Sequence, residues 1–142
     1  MDAKIFGYQT EEYNRAVELR TWILREPLGL KFTEAELKKD EEDIHFGLFE
    51  DRKILACLTL TKADNGKIKM RQVAVDADWQ GKGLGSQLSI AAEKFAKEKG
   101  FIVMFCHARK TAVPFYQKLG YKIIGDEFTE VNIPHYAMEK LL

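Results

Sequence analysis

The sequence predicts a mixed α/β fold (α+β in character). Its central sheet has six or seven strands, mostly antiparallel, with one parallel pair joined by a helix. Three observations predict it. Lys67–Val75, Gly83–Lys99 and Ile102–His107 read as strand, helix and strand, a crossover that makes the two strands parallel and the connection right-handed. Hairpin signals precede this unit, and a further pair of strands follows it. At 142 residues, 46% apolar and 31% charged, the chain suits one domain with one core over residues 1–142.

Lys4–Tyr8 is a short first strand. Glu11–Arg25 has helical spacing that puts Tyr13, Ala16, Leu19 and Ile23 on one face, and Pro27 and Gly29 break it. Glu34–Asp40 is a short polar helix with Thr33 as N-cap and Glu36 completing a capping box. Ile44–Phe49 and Ile54–Thr61 are strands joined at Asp51-Arg52. Asp64-Asn65-Gly66 marks the next hairpin turn. On the long helix Leu84, Leu88, Ala91 and Phe95 share a face, and Gly100 stops it. Ile102–His107 is nearly continuous in apolar character and is expected to be buried on both faces. Val113–Leu119 is a short helix ended by Gly120, and Tyr121–Phe128 and His135–Leu141 are the closing strands.

Composition narrows the function classes. With 22 basic and 22 acidic residues the formal charge is zero, and no long block of like charge occurs, so nucleic acid is not an expected partner. No run approaches ~18 apolar residues and the N-terminus lacks the apolar stretch of a signal peptide, so no membrane partner is expected and the location is read as cytoplasmic. Cys57 and Cys106 sit in apolar strand-like runs without CxxC or Cys/His ligand spacing. They read as reduced core thiols, and no metal site is expected.

The most informative stretch is Gln80-Gly81-Lys82-Gly83-Leu84-Gly85, a glycine-rich turn between a strand and a helix start. Glycines let the backbone approach a ligand, and the free N–H groups and dipole of a first helical turn attract anionic oxygens. A phosphate-bearing ligand is the functional reading; a tight turn with no ligand is the plainer one. A P-loop needs Gly-Lys-Ser/Thr, but Lys82 is followed by Gly83; a dinucleotide fingerprint needs a third glycine where Ser86 stands. What remains is Gln/Arg-x-x-Gly-x-Gly/Ala, here Gln80, Gly83 and Gly85. It resembles the acyl-CoA pyrophosphate loop of the GNAT superfamily of N-acetyltransferases. Ala112-Val113-Pro114-Phe115-Tyr116-Gln117-Lys118-Leu119-Gly120-Tyr121 is similar to that superfamily's Ala-x-x-Phe/Leu-Tyr-x-x-x-Gly-Phe/Tyr pattern, in the expected order. The resemblance covers at least Arg71–Tyr121. Leu19-Arg20, Pro27-Leu28-Gly29-Leu30, and Ile133-Pro134-His135 with Met138, after Glu127 and Glu130, resemble a subgroup of small single-domain bacterial members. That subgroup names no substrate.

The resemblance implies acetyl-CoA as co-substrate and direct transfer to a primary amine on a small molecule or peptide; a homodimer is possible. It implies that the pyrophosphate lies on the amides of Gly81, Lys82, Gly83, Leu84 and Gly85 and the side chains of Gln80 and Ser86. Lys82 adds charge there or is simply solvated. The backbone of Val73 and Val75 matches positions that bond the pantetheine arm as an added strand, with the Val73 N–H aimed at the oxyanion. Tyr116 matches the tyrosine that protonates the leaving sulfur, unless it is only a packed aromatic. The base is open. His135 lies toward the acceptor side, and an ordinary histidine pKa near ~6.5 suits a base. His107, His45, Glu127, Glu130 and a water relay are the alternatives. One departure stands out: Arg109 replaces an asparagine that contacts the pantetheine arm in many members. Arg109 or Lys110 then meets a CoA phosphate, or the two form a solvated pair. Phe32, Trp22 and Trp79 read as core or as pocket lining. The rival function is a non-catalytic acyl-CoA-binding or sensing module on the same fold, against which an intact Tyr116 argues.

Overall fold

Strand pairing organises the molecule, as seen in a computed structural model that describes residues 1–142. Strands β1 (Ala3–Phe6), β2 (Ile44–Glu50), β3 (Lys53–Lys62), β4 (Lys67–Val75), β5 (Val103–Arg109), β6 (Lys122–Glu130) and β7 (Ile133–Leu141) form one sheet. Their order is β1-β2-β3-β4-β5-β7-β6. Only β4 and β5 run parallel; every other neighbouring pair is antiparallel. The predicted class holds, with seven strands.

Four α-helices accompany the sheet: α1 (Glu11–Arg20), α2 (Glu34–Lys39), α3 (Leu84–Glu98) and α4 (Val113–Lys118). Thr10 caps α1 by accepting the Tyr13 N–H, and its hydroxyl donates to the Gly7 carbonyl. That turn ends β1 at Phe6 rather than at Tyr8. Helical geometry runs on past Arg20 through a π turn, Thr21–Arg25, and a 3₁₀ turn, Glu26–Leu28. The predicted rod is therefore continuous to Arg25 but changes pitch. At α2 the capping box forms as read: Thr33 accepts from the Glu36 N–H, and Glu36 accepts from the Thr33 N–H.

Helices cover both faces of the sheet. α1 packs Tyr13, Ala16 and Leu19 against Phe6, Ile54, Cys57 and Ala74. α3 packs on the other side, with Leu88, Ala92 and Ala96 against Leu48, Leu58, Met70 and Met104. β3 is buried from Ile54 through Leu60, because it is central and covered twice. Each leucine fully buried there contributes about 1.5–3 kcal/mol. Cys57 and Cys106 are free, buried thiols, and burial pushes both up to about 12. No helix is long and apolar enough to cross a membrane.

Two expectations are corrected. The buried stripe of α3 is Leu84, Leu88, Ala92 and Ala96, not Ala91 and Phe95. Two small alanines let the helix lie close to the sheet. Phe95 closes the side, its ring edge-on to Phe46 at 5.4 Å. Nor is β5 buried on both faces. Met104, Cys106 and Ala108 are buried, while Val103, Phe105, His107 and Arg109 are only half-buried. The cause is its pairing with β4, which covers Lys67↔Val103, Ile68↔Met104 and Lys69↔Phe105 and then stops. Past that point the two strands part, and the second face of β5 looks onto a cleft.

A bulge in β4 accompanies the parting. Arg71 faces Thr59 and Ala74 faces Cys57, so Gln72 and Val73 together oppose the single residue Leu58. Gln72 has φ 55°, which a bulge of this kind uses to re-aim the residues after it.

Candidate functional site

The glycine loop is built by the end of β4. Asp76 accepts the Asp78 N–H at 2.9 Å and opens a 3₁₀ turn, Ala77–Trp79. Gln80 Nε2 then donates to the Val75 carbonyl at 3.0 Å. The Gln80 side chain therefore braces the loop, a role different from the outward anion contact expected of it. Gly81 and Gly83 have φ 79° and 84°, and Gly83 is the N-cap of α3 with no side chain covering the helix end. Around the point where a Cβ would stand on either residue, nothing lies within 4 Å. The first N–H groups of α3 lack intrahelical acceptors and face this open space. An anionic diphosphate fits that cradle. Lys82 reaches over the Trp79 ring at 4.9 Å, and Ser86 is half-buried in the first turn. Gly85 serves packing: a Cβ there would stand 3.3 Å from the Phe115 ring.

The diverging strands open a second space, a cleft of about 500 Å³. Val73 and Tyr116 line it from the sheet and α4; Leu24, Arg25, Glu36 and Lys39 line it from the α1–α2 arm. Glu130, Val131 and His135 close it from the β6–β7 side. Val131 turns the chain there at φ 45°, a rare conformation for a β-branched residue. From Met70 to Val75 the β4 edge that faces β5 has no strand partner. An extended chain of amides can complete such an edge. Tyr116 is buried, edge-on to Phe115 at 5.0 Å and Tyr121 at 5.6 Å. Burial, with Cys106 close by, holds its hydroxyl protonated well above the ordinary phenol range.

A polar cluster sits in the same cleft. His135 is buried, and its Nδ1–H donates to the Ile133 carbonyl at 2.9 Å. That fixes the tautomer with the lone pair on Nε2, 3.7 Å from Glu130 Oε2. His107 Nδ1 lies 3.0 Å from Glu130 Oε1 and 3.2 Å from Lys69 Nζ. One nitrogen cannot both donate to a carboxylate and accept from an ammonium. We assign the proton to His107 Nδ1, donating to Glu130. Burial pushes the Glu130 carboxyl up, but the hydrogen bond from His107 and the positive charge around it hold it below the usual carboxylate range. Burial also depresses Lys69, against the pull of Glu130.

The structure separates the other candidates. His45 is not in the cleft; it is buried, with Nε2 2.9 Å from the Asp40 carbonyl and Nδ1 3.1 Å from the Thr59 hydroxyl. Lys110 and Glu127 pair with each other at 3.0 Å. Arg109 donates to the Leu24 carbonyl at 2.7 Å, so it ties the α1–α2 arm to β5. Phe32 is buried beneath Arg20 and Arg25, and Trp22 is exposed.

Lys69, Arg71, Arg25 and Glu36 are cleft residues that the sequence reading passed over. A usable signal existed for two of them. Lys69 and Arg71 alternate with the buried Ile68 and Met70 on a central strand, which marks a polar space on one face. Arg25 and Glu36 carry no such mark, because their pairing at 3.1 Å joins two helices through the tertiary fold.

Known proteins share this architecture. Residues 13–142 match the family model described as an acetyltransferase (GNAT) domain. Over 72 residues the chain is 38% identical to the uncharacterized protein YyaT of Bacillus subtilis, across 51% of this chain and 49% of that one. The chain spans about half the length of the curated relatives it matches. The crystal structure of a proposed N-acetyltransferase from Lactobacillus plantarum superposes with a TM-score of 0.88 at 25% identity, covering 100% of this chain and 99% of that chain. An aminoglycoside 6′-N-acetyltransferase solved in complex with coenzyme A has the same fold, with a TM-score of 0.81 at 14% identity over 99% and 97% of the two chains.

Proposed function

The chain belongs to the GNAT acetyltransferase family, and from that premise we propose that it moves an acetyl group from acetyl-CoA directly to a primary amine. One observation carries the reading. The parallel strands pair over three positions and then open a cleft that holds both Tyr116 and His135, beside a bare helix N-terminus.

The geometry supports one division of labour. Amides of Gly81 through Gly85, with Ser86, hold the pyrophosphate. The unpaired β4 edge around Val73 and Val75 bonds the pantetheine amides. The Val73 N–H, on the bulge, donates to the oxygen that becomes an oxyanion. His135 Nε2 takes the proton that the attacking amine must lose, and Glu130 stabilises the resulting imidazolium. Tyr116 donates its proton to the departing thiolate, for which it must start protonated; its burial secures that. A cytoplasmic setting suits two unpaired buried thiols.

The test is release of free CoA from acetyl-CoA across an amine panel, with the acetylated product identified by mass. Amine-dependent release supports transfer. Tight acetyl-CoA binding with no amine-dependent release supports a sensing module instead.

A further inference from the structure

The cleft is unevenly charged. Five cationic side chains line it, Arg25, Lys39, Lys69, Arg71 and Arg109, against two carboxylates, Glu36 and Glu130. The whole chain has a formal charge of zero, so the excess is local. Both carboxylates already have partners: Glu36 with Arg25 at 3.1 Å and Glu130 with His107 at 3.0 Å. Arg71 lies 3.5 Å from Asp43. Lys39, Lys69 and Arg109 have no carboxylate within 4 Å.

Arg109 is the most telling. Its guanidinium is half-buried and makes one hydrogen bond, to the Leu24 carbonyl, leaving most of its donors without a protein acceptor. Burial, and then the neighbouring charge of Arg25, disfavour its charged form. Like charges gathered in a half-buried cleft destabilise the free protein, and a bound anion relieves them. Guanidinium forks suit planar or tetrahedral oxyanions. The CoA pyrophosphate has a separate cradle at the start of α3, whose loop residues do not line this cleft.

We propose that the acceptor amine also carries an anionic group, a carboxylate or a phosphate, seated on Arg109 and Arg25 with Lys39 at the mouth. The inference rests on the acetyl-transfer reading for the word acceptor, but the anion subsite stands apart from it. Its amine end then points toward His135 and Val73. Polycationic amines are repelled by the same residues.

The experiment uses matched probes: β-alanine against β-alaninamide for the carboxylate, phosphoethanolamine against ethanolamine for the phosphate, and spermidine as the cation. Affinity is measured by calorimetry with CoA present, and kcat/KM by CoA release. The expected result is at least a tenfold preference for one anionic member over its neutral partner, and weakest binding by spermidine. Arg109→Gln should reduce that ratio about tenfold. Lys39→Glu, an exposed change that cannot disturb the core, should reduce it in the same direction. A preference for neutral or cationic members, or an unchanged ratio in both variants, overturns the proposal. So does a tenfold loss of acetyl-CoA affinity in Arg109→Gln, which would place these cations on the CoA phosphates. Anion preference in binding without transfer to any probe supports the subsite while refuting the transferase reading. Transfer to neutral amines without anion preference does the reverse.

Discussion

Gly83→Ala separates a ligand cradle from a mere turn. The residue has φ 84°, where an L side chain costs about 1–2 kcal/mol, and alanine's stiffer unfolded chain offsets about 0.4–1 kcal/mol of that. No atom lies within 4 Å of the new Cβ, so no clash adds to the net cost of roughly 1 kcal/mol. Gly100 supplies the matched control. It has φ 92° and equally open surroundings, but it follows the C-terminal end of α3, about 22 Å away along a 15-residue helix. Both variants should lose similar thermal stability, roughly 2–8 °C. Only Gly83→Ala places a methyl in front of the helix N–H groups. Its acetyl-CoA affinity, read by calorimetry, should fall at least tenfold, about 1.4 kcal/mol. Gly83→Asp, which adds a negative charge, should fall further. If Gly83→Ala binds acetyl-CoA as tightly as Gly100→Ala and the parent, the loop is not the phosphate site.

Three further outcomes are expected. Tyr116→Phe should bind acetyl-CoA within twofold of the parent and turn over about 10²-fold more slowly, the low end for a lost acid because thiolate leaves readily; wild-type turnover under chemistry-limited conditions would reduce Tyr116 to packing. His135→Ala should lose the amine-dependent rate while sparing acetyl-CoA binding; a loss of melting temperature alone, with the rate per folded molecule unchanged, would make His135 structural. His45 should make the fold acid-sensitive. Burial pushes its imidazole below the ordinary 6.5, so the unfolded chain takes up its proton first. The stability this histidine gives is complete above about pH 6.5 and is lost as pH falls from there toward the depressed folded value. Melting temperatures of His45→Gln should therefore depend less on pH over that interval, and an unchanged slope would refute the assignment.

Local chemistry made much of the fold legible. The Thr33–Glu36 capping box and the Asn65-Gly66 turn, with φ 60° and 73°, both use side-chain or backbone properties confined to a few residues. The strand–helix–strand unit was equally plain from its periodicity. The candidate site was legible in part: the open glycine turn at Gly81 and Gly83, and Tyr116 on the cleft wall, lie in short patterns. What depends on strands separating was not legible. The apolar run of β5 reads as doubly buried because sequence carries no mark of where its pairing to β4 ends. The buried Arg20–Asp40 pair, joined by the Tyr13 hydroxyl at 2.6 Å, was not legible either, since its partners stand 20 residues apart and meet only in the tertiary fold. The brace from Gln80 to the Val75 carbonyl is unmarked for a related reason: it is a property of the folded loop, not of the motif.

The short contact between β4 and β5 has a mechanical consequence. Three residue pairs join the four-stranded block that begins at β1 to the three-stranded block that ends at β6, apart from what the helices contribute. The sheet thus carries an edge in its own middle, with open backbone groups that would invite foreign strands if they lay at the rim. Here the α1–α2 arm, tethered by Arg109 to Leu24, stands over the gap as a guard. Any extended ligand seated there acts as a missing rung between the blocks. Its occupancy should register as slowed amide exchange on both sides of the seam, from Met70 to Val75 and from Cys106 to Arg109, and as added resistance to pulling the two halves apart.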